Sequence, residues 1–121
     1  MFETIFEVYQ PDTVMTGYNA ANGVWCGEDE ELLEGVLREE WGFEGYVMTD
    51  WGGAGSCAGG APAQAGLSWV APGDDSDDDV LPILEALQSG ALDRQRLLSN
   101  VRDFYRVLIK YYHPKLFCPE A

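Results

Sequence analysis

Basic residues are scarce in this 121-residue chain: 7 Lys and Arg stand against 21 Asp and Glu, a formal net charge of −14. Such a field repels phosphate backbones and anionic lipid surfaces, so nucleic acid and membrane are excluded as partners; neutral ligands such as sugars are not. Histidine occurs once, at His113, and the three cysteines, Cys26, Cys57 and Cys118, are widely spaced with no CxxC pair. Zinc sites need closer ligands, so no metal is expected. No apolar run approaches a membrane span. The start MFETIFEVYQ has no basic leader and no long apolar core. With the unpaired cysteines, that start favours a cytoplasmic setting. No GxGxxG or glycine-lysine pattern marks a nucleotide cradle, although glycines cluster between Gly52 and Gly60, and no cofactor is expected.

What is present fits a folded segment: 46% hydrophobic residues and 12% aromatics. Phe2–Val8 reads as a helix end. Thr13–Tyr18 is a short β-rich run, called a strand. The loop Asn19–Asp29 carries the turn signal Asn22-Gly23. Glu30–Trp41 has helical spacing, with Leu32, Leu33, Val36 and Leu37 on one stripe, acids in the first turn and Gly42 as a stop. Tyr46–Thr49 is a second strand, followed by the small-residue loop Gly52–Ala63. Leu67–Val70 is expected as a brief third strand and Asp74–Asp79 as an acidic turn. Val80–Ser89 is a helix broken by Gly90. A last helix runs from Leu92 to about Tyr112, with Leu97, Val101, Phe104, Leu108 and Tyr111 on one face and Pro114 beyond it. This alternation is the rhythm of an α/β fold with parallel strands. The expected architecture is a partial (β/α)₈ barrel of about three βα units plus a final helix, because a full barrel needs about 250 residues.

The functional reading centres on WGFEGYVMTDWGG, residues 41–53. Asp50 closes the second strand at its carboxyl end, where α/β folds carry their sites. A carboxylate held at a strand mouth is costly unless paired or hydrogen-bonded. It can act on a cationic sugar carbon, and the neighbouring indole of Trp51 offers a flat apolar face to a pyranose. Asp50 can equally cap the following turn. Trp51 and Tyr18 can equally be packing residues, and Asn19 and Asn22 turn residues. Asp74–Asp79 lacks the glycine and terminal glutamate of a calcium loop and reads as acids before a helix. His113, at a helix end, reads as a dipole partner.

Three blocks, VMTGYNAANG (Val14–Gly23), LLEGVLREEWGFEGYVMTDWG (Leu32–Gly52) and QAGLSWVAPG (Gln64–Gly73), resemble glycoside hydrolase family 3, the β-glucosidase and β-xylosidase group. The resemblance covers nearly the whole chain and is most specific from Leu32 to Gly52. It implies the C-terminal part of the (β/α)₈ catalytic domain, at about its sixth to eighth strands. It further implies Asp50 as the nucleophile, Trp51 lining a sugar subsite and Tyr18 helping to hold the nucleophile. The implied reaction is retaining hydrolysis of a terminal β-linked sugar. Asp50 would attack the anomeric carbon, and water would resolve the ester with a second carboxyl about 5–5.5 Å away. Ser68 stands where the family often has aspartate. The family's sugar-gripping residues on earlier strands, and its general acid/base, have no counterpart here. The implied partners are therefore a β-glycoside and, for the incomplete sheet, the missing part of the barrel or further copies of the chain. A catalytically inactive interaction module and one half of a split enzyme are the alternatives.

Overall fold

The computed structural model describes residues 1–53, 60–68 and 80–112. Helix α1 spans Phe2–Tyr9, and strands β1 (Thr13–Thr16) and β4 (Tyr46–Thr49) lie side by side. Both strands are four-residue runs ending Val-Met-Thr, suited to a pleated, half-buried surface. They pair in parallel, Thr13 with Tyr46 through Thr16 with Thr49. Parallel neighbours require a long crossover, and helix α2 (Glu31–Glu40) lies within it. The expected simple loop ahead of α2 contains a small antiparallel ladder, β2 (Ala20–Ala21) with β3 (Val24–Trp25). Asn22 (φ 52°) and Gly23 (φ 88°) close it as a two-residue hairpin turn.

Helix α2 ends one residue inside the expected limits at each end. It is wound in the wider π pattern, with the Trp41 N–H donating to the Val36 carbonyl at 3.0 Å. Its Leu33 and Leu37 are buried with Phe6, Phe43, Val47, Ala65 and Leu67. Phe6 stacks on Trp41 at 5.5 Å between centroids and meets Phe43 edge-on at 5.4 Å. A second small core joins α3 (Gly60–Gln64), α4 (Val80–Ser89) and α5 (Arg94–Tyr111) through Ala63, Ala86 and Leu92. Helix α4 has the expected bounds, and Asp93 caps α5 by accepting from the Gln95 N–H at 3.0 Å.

Two expectations need correction. Leu67 and Ser68 are not a strand. Ser68 donates its N–H to the Val47 carbonyl at 2.9 Å, but no further rung forms among the described residues, so the described sheet beside β4 has two strands. Trp69, Val70, the acidic turn 74–79, most of the loop at 54–59 and the segment from His113 lie outside the described residues. The second correction concerns α5. Its expected apolar face is buried only in part: Leu97 packs on the second core and Phe104 meets Tyr46 edge-on at 5.6 Å, but Val101, Leu108 and Tyr111 are exposed, and the fully buried residues are Asn100 and Asp103.

Ion pairing explains the rotation of α5. Arg38 of α2 pairs with Glu34 and with Asp103, each at 3.2 Å, and donates to the Gly45 carbonyl at 3.0 Å. Arg96 pairs with Glu34 at 2.7 Å, and Asn100 donates to the Ala63 carbonyl at 2.7 Å. Burial raises the Asp103 carboxyl above its ordinary pKa, opposed first by Arg38 and then by Arg106. Further along, Lys110 bonds Asp12 at 2.6 Å, and the Tyr111 hydroxyl donates to the other Asp12 oxygen. These contacts hold Asp12 below the ordinary carboxylate value and raise Lys110.

One glycine is demanded twice over. Gly66 has φ +98°, and a Cβ there would overlap Glu34 Oε1. A side chain at residue 66 would thus be strained in its backbone and would displace the Glu34 carboxylate.

Candidate active site at the carboxyl edge of the parallel strands

Beyond β1 the chain continues through Gly17 to Tyr18; beyond β4 it continues directly to Asp50 and Trp51. Parallel pairing brings both exits to one edge. The Asp50 N–H donates to the Thr16 carbonyl at 3.1 Å, a last rung that fixes the aspartate at the strand mouth. The Asp50 carbonyl accepts from Gly53 at 2.9 Å, and Asp50 Oδ1 accepts from the Trp51 N–H at 2.6 Å. Asp50 thus caps its own turn with one oxygen. Among the described residues no hydrogen bond reaches Oδ2, and the residue is half-buried. Capping and availability coexist in one side chain.

Trp51 is 76% exposed and Tyr18 is 69% exposed, so neither packs into the two cores of the described residues. Their faces are open at the same edge as Asp50. Among the described residues no hydrogen bond joins Tyr18 to Asp50. The Asn19 side chain donates to the Ala20 carbonyl at 3.4 Å, its own carbonyl accepts from Cys26 N–H at 3.2 Å, and Asn22 occupies the hairpin turn, so both serve local structure.

The segment after the hairpin folds back over this edge. A Cβ on Gly27 would lie 3.3 Å from the Gly53 carbonyl oxygen and from Thr49 Cγ2, and 3.5 Å from Thr16 Oγ1. Gly27 and Gly53 therefore wall the site by close backbone approach, and a lone glycine in a loop gives no sign of that role in sequence. Beneath them Thr16 Oγ1 is buried without a hydrogen-bond partner among the described residues. A cleft of about 520 Å³ lies elsewhere, lined by Asp12, Gly45, Glu44, Arg106 and Lys110, at the amino end of the strands. Among the described residues no cluster of three potential metal ligands occurs, and no helix is long and apolar enough to cross a membrane.

The family profile described as the glycosyl hydrolase family 3 N terminal domain matches residues 2–75. The chain belongs to glycosyl hydrolase family 3. Beta-glucosidase B of Emericella nidulans is 37% identical over 109 residues, covering 90% of this chain but 13% of that protein. An exo-alpha-(1->6)-L-arabinopyranosidase of Bifidobacterium breve is 45% identical over 80 residues, 66% of this chain and 10% of that enzyme. Among solved structures, beta-glucosidase 3B of Thermotoga neapolitana in complex with glycerol superimposes with a TM-score of 0.81 at 38% identity, covering 89% of this chain and 16% of that one. The same enzyme in complex with alpha-D-glucose gives 0.80. The chain spans 10–16% of the length of these relatives, and the profile match extends over both parallel strands and the turns that follow.

Proposed function

We propose that the chain supplies the nucleophile-bearing part of a retaining β-glycosidase. Within the family's N-terminal domain it represents the last βα units of a (β/α)₈ barrel. Asp50 is the nucleophile, Trp51 lines a sugar subsite, and Tyr18 borders the nucleophile. What supports this reading is the position of Asp50: fixed by its backbone at the carboxyl edge of the parallel pair, with one carboxylate oxygen engaged by Trp51 N–H and exposed aromatics beside it. The other oxygen, which accepts no hydrogen bond among the described residues, can attack, while the capped oxygen keeps the carboxylate oriented.

The second carboxyl group of a retaining mechanism comes from outside these 121 residues, either from a longer polypeptide or from a partner chain. Its loss removes leaving-group protonation, worth on the order of 10²–10⁴ in rate. The chain alone is then inactive on unactivated β-glycosides. A dinitrophenyl β-glucoside needs no such protonation, and azide replaces the base-assisted water. Slow azide-dependent turnover of that substrate, abolished by Asp50→Asn, is the expected result. Turnover unaffected by the substitution removes Asp50 from the role.

A further inference from the structure

The segment between β1 and α2 leaves the carboxyl edge of the strands and returns to it. It departs at Gly17, turns back through the β2–β3 hairpin, and returns at Gly27. A Cβ at Gly27 would lie 3.5 Å from Thr16 Oγ1 and 3.3 Å from the Gly53 carbonyl oxygen. A loop pinned at both ends to one strand mouth keeps its hairpin standing at that mouth. Trp25, paired with Ala20 across the hairpin, is 38% exposed. With Tyr18 and Trp51 it is the third exposed aromatic of the loops at the edge that carries Asp50.

Charge marks the same edge. Residues 13–27 contain no Asp, Glu, Lys or Arg, and from residue 45 to residue 68 Asp50 is the only one, in a chain of net charge −14. Immediately after Gly27 the acids resume, at Glu28, Asp29, Glu30 and Glu31. Loops that merely face water have no reason to shed charge in so acidic a chain, whereas a surface that loses its water against an uncharged ligand does. Completion of a barrel by further polypeptide does not account for this. A barrel grows sideways from its strand edges, and its carboxyl face stays open to substrate. The hairpin also offers little to a hydroxyl-rich ligand: Ala20, Ala21 and Val24 surround Trp25, and Asn19 and Asn22 are engaged in local structure. An apolar rim of this kind suits a flat apolar group better than a second sugar.

We propose that Trp25 is a specificity-determining residue on the leaving-group side of the site, which takes β-glycosides whose leaving group is flat, apolar and uncharged. The inference rests on the reading of this edge as a glycoside site, and not on which carboxylate attacks.

Nuclear magnetic resonance titration of the whole chain tests it, read on the indole N–H signals assigned by replacing each tryptophan with phenylalanine in turn. The probes are phenyl β-glucoside, its trimethylammonio-phenyl analogue and cellobiose. Phenyl β-glucoside should shift the Trp25 signal and bind about fivefold or more tightly than cellobiose. It should also bind more tightly than the cationic analogue, although the net charge of the chain favours the cation. Trp25→Ala should bring phenyl β-glucoside close to cellobiose, and Trp25→Phe should keep most of the difference. Unchanged amide signals at Ala20 and Ala21 in the Phe variant confirm an intact hairpin. No saturable binding of phenyl β-glucoside, an unmoved Trp25 signal, or no preference over cellobiose overturns the proposal. So does tighter binding of the cationic analogue, or a preference that survives Trp25→Ala. Binding is read without turnover, so failure of Asp50 as nucleophile would appear in the Asp50→Asn comparison and leave this titration unchanged.

Discussion

Replacing Gly66 with alanine should be among the most damaging single-methyl changes in the chain. Two costs add. At φ +98° an L-residue is strained, by roughly 1–2 kcal/mol. The new Cβ also overlaps Glu34 Oε1, so Glu34 must swing away from Arg38 and Arg96, which it now holds at 3.2 and 2.7 Å. These side chains are mostly buried, and losing good geometry in such charge-assisted contacts costs about 1.5 kcal/mol or more. The expected total is roughly 3 kcal/mol. Urea unfolding at fixed chain concentration, followed by tryptophan fluorescence, measures it. The decisive comparison is a double-mutant cycle with Glu34→Ala. Without the carboxylate the overlap is gone, and Gly66→Ala should then cost only the backbone part, leaving a coupling of about 1.5 kcal/mol. An equal cost in both backgrounds would refute the packing of Gly66 on Glu34.

Arg38→Met should destabilise the chain by about 2–3 kcal/mol, since Asp103 keeps only a 3.7 Å pairing with the exposed Arg106 while Glu34 keeps Arg96. Adding Asp103→Asn should recover part of that loss in the same urea assay. Asp12 gives a pH signature. Its folded pKa lies below the ordinary value of 3.8 because Lys110, and then Tyr111, hydrogen-bond it. A depressed carboxyl contributes stability that is present above the unfolded pKa and is lost as pH falls through the folded one. The stability advantage of the native chain over Asp12→Asn should therefore be steady at neutral pH and shrink below about pH 4. Thermal melts across that range that show a growing advantage would contradict the assigned contact.

The parts of the fold legible in sequence are those where local pattern and burial agree. Val14 and Val47 sit in short β-rich runs, and Leu33 and Leu37 fall at helical spacing with a glycine stop after them. Val80–Ser89 is bounded just as its apolar spacing and Gly90 require. The hairpin β2–β3 was visible only as Asn22-Gly23, because two-residue strands are too short to show a period of two. The face of α5 is legible in part. Apolar spacing places Leu97 and Phe104 inside, as they are, but it also places Val101 and Leu108 there, whereas the inside at that level is taken by Asp103 and its pairing with Arg38, a residue of a distant segment. No local window contains that pairing. At the candidate site the position of Asp50 was legible, since it follows directly from where β4 stops. The choice between turn cap and working acid was not, and the structure makes the two compatible: Oδ1 caps while Oδ2 makes no hydrogen bond among the described residues. The walling of the site by Gly27 and Gly53 depends on a long-range approach that neither glycine announces.

Covalent trapping tests the central claim most directly. A dinitrophenyl deoxyfluoro-β-glucoside has a leaving group that departs without protonation, and its fluorine slows the second step so that a glycosyl ester accumulates. Intact-mass measurement followed by peptide mapping of the treated chain should find one sugar on the peptide containing Asp50, and none on the Asp50→Asn variant. Labelling of a different carboxylate, equal labelling of the variant, or no adduct at all would contradict Asp50 as the nucleophile carried by this chain.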